Sequence, residues 1–208
     1  MGNDYFLSVV GAEVIAAEAG LQDMQNRTYQ QMSMAERNLG DAFAGTEAAY
    51  PNVTFEDRHV LPVEGVVIEL LYAGGAHTPA DWFVWLPEEG IVFAGDVVFA
   101  ERLLGIQPNM GLRWIAALEH MRDEIKPKIV IPGHGAPTTL DAALKDSLDY
   151  LVMLRDGSRQ AIDDGAFDPF EVAENLDQSA FSYLENFGDI RFRKRNAMRM
   201  AEEAFALQ

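Results

Sequence analysis

The chain has 208 residues, 49% of them hydrophobic and 10% aromatic, which is enough for one substantial core and too apolar for a disordered segment. Lys and Arg total 16 against 33 Asp and Glu, a formal charge of -17 at pH 7, and a field of that sign repels DNA and RNA backbones. Cysteine is absent, which excludes disulfides, thiolate nucleophiles and thiolate metal sites, and no apolar run approaches the roughly 20 residues of a bilayer span.

In chain order, Tyr5 to Val10 lacks the basic flank and cleavage site of a signal peptide, so the expected compartment is the cytoplasm. Gly11 to Ala16 is a short apolar run opening on glycine and reads as a buried strand. A helix is expected from about Glu18 to Phe43, with Leu21, Met24, Tyr29, Met32 and Leu39 at loosely helical intervals, until Gly45, Pro51 and Asn52 break it. From Val53 the pattern turns to strands: VTF, HVLPV, VVIELLYAG, WFVWLP and IVFAG, with LPEEGIVF as a hairpin.

Trp114 to Ile125 reads as a helix limited by Pro127, and Lys128 to Ile131 as a buried strand before Pro132-Gly-His-Gly135. Thr138 and Asp141 have capping-box spacing, and Leu140, Leu144, Leu148, Leu151 and Leu154 continue a helix on one face. From Pro169 onward the chain reads as helical, with breaks near Gly165 and Gly188. Met198 and Phe205 suggest an amphipathic last helix whose basic run, Arg191 to Arg195, forms a solvated face rather than a docking patch. Strands followed by helices in this order predict helices layered on sheet, with sites in the loops at strand ends.

Three residues stand out in such loops. His77 follows Gly74 and Gly75, Asp96 follows Gly95, and His134 lies between Gly133 and Gly135. Each has an ordinary reading: a histidine bonded to nearby backbone, an aspartate forming a turn or helix cap, a tight turn at 133–135. Each also follows an apolar strand, and imidazole with carboxylate is the ligand set for zinc-like cations when thiolates are missing. His59, within an expected strand, and His120, within an expected helix, lack the glycine setting and are left out. Asp81 either orients His77 or stabilises its turn, and Trp82 and Trp85 read as core or interface rather than a substrate platform. Neither a Gly-x-Ser-x-Gly elbow nor a phosphate-cradling glycine motif occurs.

The segments GAHTPAD at 75–81, FAGDVVF at 93–99 and IPGHG at 131–135 resemble, in order and spacing, the metallo-β-lactamase superfamily of metal-dependent hydrolases. The resemblance implies an α/β (α+β) fold, the αββα sandwich, over residues 1–160, with a C-terminal helical extension over 161–208 packed on the same domain. It implies that His77 binds a first metal, that Asp96 bridges both metals at the catalytic centre, and that His134 binds the second. The family's nucleophile is a hydroxide held between two zinc ions, and the implied reaction is hydrolysis of a small-molecule ester, thioester or lactam. The alternative is a non-catalytic module that keeps the fold for binding or self-association.

Two departures qualify the resemblance. Ala80 stands where glycine is usual, and the family's His-x-His-x-Asp-His motif does not occur: of four histidines, none precedes His59. MGNDYF followed by GAEVIAAEAG resembles what comes just after that motif, so the fold is expected to be incomplete at its N-terminus. A late coding start, a cut chain or a lineage that discarded the loop would each explain it. With three ligands, at most one weakly held ion is expected. An uncovered sheet face is expected to drive homo-oligomerisation, strand exchange or insolubility.

Overall fold

Two short parallel strands open the fold in the computed structural model, which describes residues 2–207. β1 (Ile15–Ala17) pairs with β2 (Val53–Phe55), matching Ile15 to Val53 and Ala17 to Phe55. Between them run α1 (Glu18–Leu39) and a 3-10 turn, Gly40–Phe43, entered through Gly40 at φ 53. These elements belong to a first compact unit that ends at His59; a second begins at Val60.

The expected strand from Gly11 to Ala16 is corrected: β1 starts four residues later, and Ala17 is its one buried residue. Gly11, at φ 70, instead ends a π-helical turn over Tyr5–Val10, with Ala12 N–H donating to Phe6 O at 2.8 Å. The Val14 N–H donates to the Asn52 side-chain oxygen at 2.8 Å rather than to a strand carbonyl, so the ladder begins only at Ile15.

The main sheet has five strands in the order β3-β4-β5-β6-β7: Arg58–Leu61, Ile68–Tyr72, Trp82–Leu86, Ile91–Phe99 and Ile129–His134. β4, β5 and β6 form an antiparallel meander, and the expected hairpin joins Leu86 to Ile91. β6 and β7 are parallel, which requires a crossover. α2 (Gly111–His120), extended by a π-helical turn at Met121–Ile125, provides it. α3 (Leu140–Asp163), α4 (Pro169–Asn175) and α5 (Ile190–Phe205) follow.

Phe83, Val92, Val97 and Val130 from the sheet meet Trp114, Leu118, Leu151, Leu154 and Met200 from the helices in one core. All nine are at most 1% exposed, so the helices seal the sheet around β6 and β7. Glu203 on α5 closes the start of α2, accepting from Gly111 N at 2.7 Å and Leu112 N at 3.0 Å. The helix therefore starts at Gly111, three residues before the expected Trp114. Among the described residues no helix is long and apolar enough to cross a membrane.

Several expectations are corrected here. β6 does not stop at Gly95 but runs through Asp96 to Phe99, with register shifts against β7 on either side of Gly95. β7 is an edge strand rather than a buried one: Val130 is covered, but Ile129 is 42% exposed. Thr139, not Thr138, caps α3 by accepting from Ala142 N, because Thr138 exchanges both backbone hydrogen bonds with Val130. Residues 176–189 are not helical apart from a 3-10 turn at Ser179–Phe181.

The last helix is amphipathic, and Met198 packs against the core beside its buried face. Its covered face is Asn196, Ala197, Met200, Ala201 and Ala204, while Met198 and Phe205 lie at its margins. The basic run is consequently not one solvated face. Arg193 lies 4.1 Å over the Phe187 ring, Lys194 pairs with Glu174, and Arg195 turns toward a cavity at the sheet's edge.

Candidate functional site

His77 sits in the loop between β4 and β5, where Gly74 and Gly75 take φ of 77 and 89, a backbone region that side chains resist. Asp81 fixes this loop. Its carboxylate accepts from Thr78 N at 2.6 Å and Thr78 Oγ1 at 2.8 Å, and its carbonyl accepts from Ala73 N at 2.9 Å. Asp81 is thus a turn brace with no bond to His77, the second of the two roles considered for it. The backbone at Ala80 is held by the same Thr78 hydroxyl at 3.3 Å, so this turn accommodates alanine in place of glycine.

Asp96 comes from the middle of β6 and His134 from the last position of β7, where His134 is in register with Phe99. Ala100 N–H donates to His134 O at 2.9 Å and locks the two strand ends together. Gly135 follows at φ 99, and a Cβ there would lie 2.5 Å from Ala100 O. Glycine is required at that position by both conformation and space.

The structure brings the three predicted residues together. His77 Nε2 lies 3.9 Å from Asp96 Oδ2, and His134 Nε2 lies 3.6 Å from Asp96 Oδ1. Both gaps are too long for hydrogen bonds. They are close to the separation of about 3.4 Å expected between two ligand atoms of one tetrahedral ion at zinc distances. The histidines address opposite oxygens of one carboxylate, which suits a carboxylate shared between two cations. His120 lies in the last turn of α2 and His59 in β3, and neither lines this cavity.

Donor type and spacing fit a metal, but donor number does not. Among the described residues no three His, Asp or Glu side chains form a group able to hold one ion. Each half offers one imidazole and one carboxylate oxygen, against the three protein ligands of a usual catalytic zinc.

Aromatic packing, which the sequence reading missed, sets the imidazole positions. His134 stacks on Phe99 with ring centroids 4.6 Å apart, and His77 stands edge-on to Trp114 at 5.5 Å. Trp114 is itself fixed by donating from Nε1 to Val97 O at 2.8 Å. The His77 Nδ1 atom is buried and has no hydrogen-bond partner among the described residues, so packing holds that nitrogen. The FAGDVVF spacing carried a signal for Phe99, three residues beyond Asp96 and on the strand that bears it.

The three residues open into a cavity of about 550 Å³ that Arg102, Arg195 and Arg199 also line. Trp82 and Trp85 do not line it. Buried Asn196 holds the segment carrying Ile106, one of its lining residues, by accepting from Ile106 N at 3.1 Å and donating to Leu104 O at 2.7 Å. None of these polar residues was singled out as a site component by sequence.

Comparison with known proteins places the chain in a family. Residues 1–157 match the family model described as the metallo-beta-lactamase superfamily. The metallo-beta-lactamase type 2 of Bacteroides fragilis is 30% identical over 90 residues, which cover 41% of this chain and 36% of that protein. The stereoselective inverting sec-alkylsulfatase Pisa1 from Pseudomonas sp. superposes with a TM-score of 0.65 at 14% identity, covering 98% of this chain and 38% of that one. A metallo-beta-lactamase family protein of Thermus thermophilus gives 0.60 at 18% identity, covering 97% and 70%. The chain therefore spans little more than a third of the first two relatives, and the two structural likenesses establish the mixed α/β fold with its C-terminal helices. With three quarters of its length matched by the family model, the chain belongs to the metallo-beta-lactamase superfamily, whose members are typically metal-dependent hydrolases.

Proposed function

We propose that this chain carries the strand-end half of a metallo-hydrolase centre acting on a small ester, thioester or lactam. The observation supporting this reading most directly is that His77 and His134 approach opposite oxygens of Asp96. In the proposal His77, Asp96 and His134 would hold zinc. Zinc bound there would supply hydroxide near neutral pH and polarise the scissile carbonyl. The chain's residues do the positioning: Phe99 and Trp114 orient the imidazoles, and β6 and β7 keep the carboxylate between them. Two protein ligands per ion make a weak trap, so the chain by itself is expected to retain at most one zinc.

The test is zinc content by elemental analysis, together with ester hydrolysis, for the chain and its His134→Ala variant. The proposal expects zinc and hydrolysis both to fall in the variant. Equal zinc content and equal hydrolysis would overturn it. They would instead favour a non-catalytic module that keeps the fold for binding or self-association, a reading supported by the lack of a three-donor group among the described residues.

A further inference from the structure

We infer that the site takes substrates carrying an oxyanion, a carboxylate, sulfate or phosphate, held by Arg195 and Arg199 of α5 together with Arg102. The inference rests on the cavity that contains His77, Asp96 and His134, and so deepens the reading above.

The charge pattern is the starting point. Acidic residues outnumber basic ones 33 to 16 in the chain, yet three guanidinium groups and two carboxylates line this cavity. Neither carboxylate neutralises an arginine. Asp189 caps α5, its Oδ1 accepting from Arg191 N at 3.0 Å and Phe192 N at 3.1 Å. Asp96 faces the two histidines.

The guanidinium groups are held, but largely not by anions. Arg195 lies 4.9 Å over the Phe192 ring and has no hydrogen-bond or ion-pair partner among the described residues. Gly105 permits that arrangement, since a Cβ there would come within 3.0 Å of Phe192 Cζ. With the Asn186 amide turned so that its oxygen faces the guanidinium, Arg102 donates to it from Nε at 3.1 Å and Nη2 at 3.3 Å, a neutral partner that orients without cancelling charge. Arg199 pairs with Glu202 at 2.8 Å, a contact made through Nη1 alone.

Spacing completes the argument. Residues 195 and 199 are four apart, so their side chains project from the same face of α5. Two adjacent forks of donors suit an oxyanion, which accepts several charge-assisted hydrogen bonds at once. Both residues lie beyond 157, outside the stretch that matches the family model, so this wall is a feature of the chain's own C-terminal helix. The overall charge repels anions at long range, and the cavity offers them one local well.

Inorganic phosphate is the probe. Its dissociation constant is measured by calorimetry for the wild-type chain, the Arg195→Gln/Arg199→Gln double variant, an Arg195→Lys variant and His120→Ala, a change outside the cavity. Each is first shown to retain its melting temperature and circular dichroism. The expected result is a loss of at least about tenfold in the double variant, from removing charge-assisted bonds. A smaller loss is expected in Arg195→Lys, and wild-type affinity in His120→Ala. Equal phosphate binding by the double variant and wild type overturns the inference, as does an equal loss in His120→Ala or no binding by the wild-type chain. Zinc content is an independent readout, so zinc retained by the double variant while phosphate binding is lost separates the two proposals.

Discussion

Gly133 presses against Asp96 so closely that no side chain fits between them. A Cβ at position 133 would overlap Asp96 Oδ1 and stand 2.6 Å from the Gly95 carbonyl carbon and 2.7 Å from Asp96 N. The obstacle is mostly backbone of the paired strand β6, which cannot rotate away as a flexible side chain would.

Gly133→Ala is therefore expected to push the Asp96 carboxylate out of line with both histidines and to strain the β6–β7 pairing. Overpacking of this kind costs about 1–3 kcal/mol. In a chain of this length each kcal/mol lowers the melting temperature by roughly 2–4 °C. A thermal melt checks the stability. Unchanged melting with unchanged zinc content would show that β7 yields and that the close approach has no role.

Much of this was readable in advance, because glycines mark where backbone must turn or approach closely. Gly74, Gly95 and Gly135 flank His77, Asp96 and His134, and all three take positive φ. Spacing of apolar residues likewise located α3 and the hairpin. Contacts between distant elements were not readable. A helical pattern tells that α5 has an apolar face; it does not tell that Arg195 and Arg199 line the cavity that holds Asp96. Thr138 has the spacing of a cap, yet its backbone pairs with Val130, a tertiary bridge that no local motif records.

Ser147 is another residue whose role appears only in three dimensions. It is fully buried on α3, and its Oγ accepts from Phe99 N at 3.1 Å while donating to Phe99 O at 3.0 Å. One hydroxyl thus satisfies both backbone groups of the residue on which His134 stacks. Ser147→Ala leaves a buried donor and acceptor unmet, at a cost of about 1–3 kcal/mol. Chemical denaturation is expected to show that loss with an unchanged m-value; a midpoint within error of wild type would refute it.

Asn196 ties the segment carrying Ile106 to α5. It bonds the Ile106 N–H and the Leu104 carbonyl, and its Nδ2 also reaches Tyr150 Oη at 3.2 Å, all within the core. Asn196→Ala is expected to destabilise the fold by at least about 2 kcal/mol, since several buried polar groups lose their partner together. Amide exchange at Ile106 is expected to accelerate well beyond the change in global stability. Exchange tracking global unfolding alone would mean that the loop is held by its other contacts.

Tyr183 gives the fold a limit at alkaline pH. Its hydroxyl donates to Asp146 Oδ1 at 3.0 Å, and Asp146 Oδ2 accepts from Glu101 N at 2.7 Å, just past the end of β6. Desolvation of the phenol, then the hydrogen bond to Asp146 and that carboxylate's charge, push its pKa up to about 12. An unfolded tyrosine titrates near about 10. The folded state therefore holds this proton more tightly, and the stabilisation is complete below about pH 10 and lost as pH rises toward 12. Burial likewise raises Tyr150, so the alkaline decline has more than one source. Tyr183→Phe is expected to lower the melting temperature at neutral pH and to make it fall less steeply between about pH 10 and 12. Melting curves at half-unit pH intervals decide the matter: parallel declines for variant and wild type would remove Tyr183 from the account.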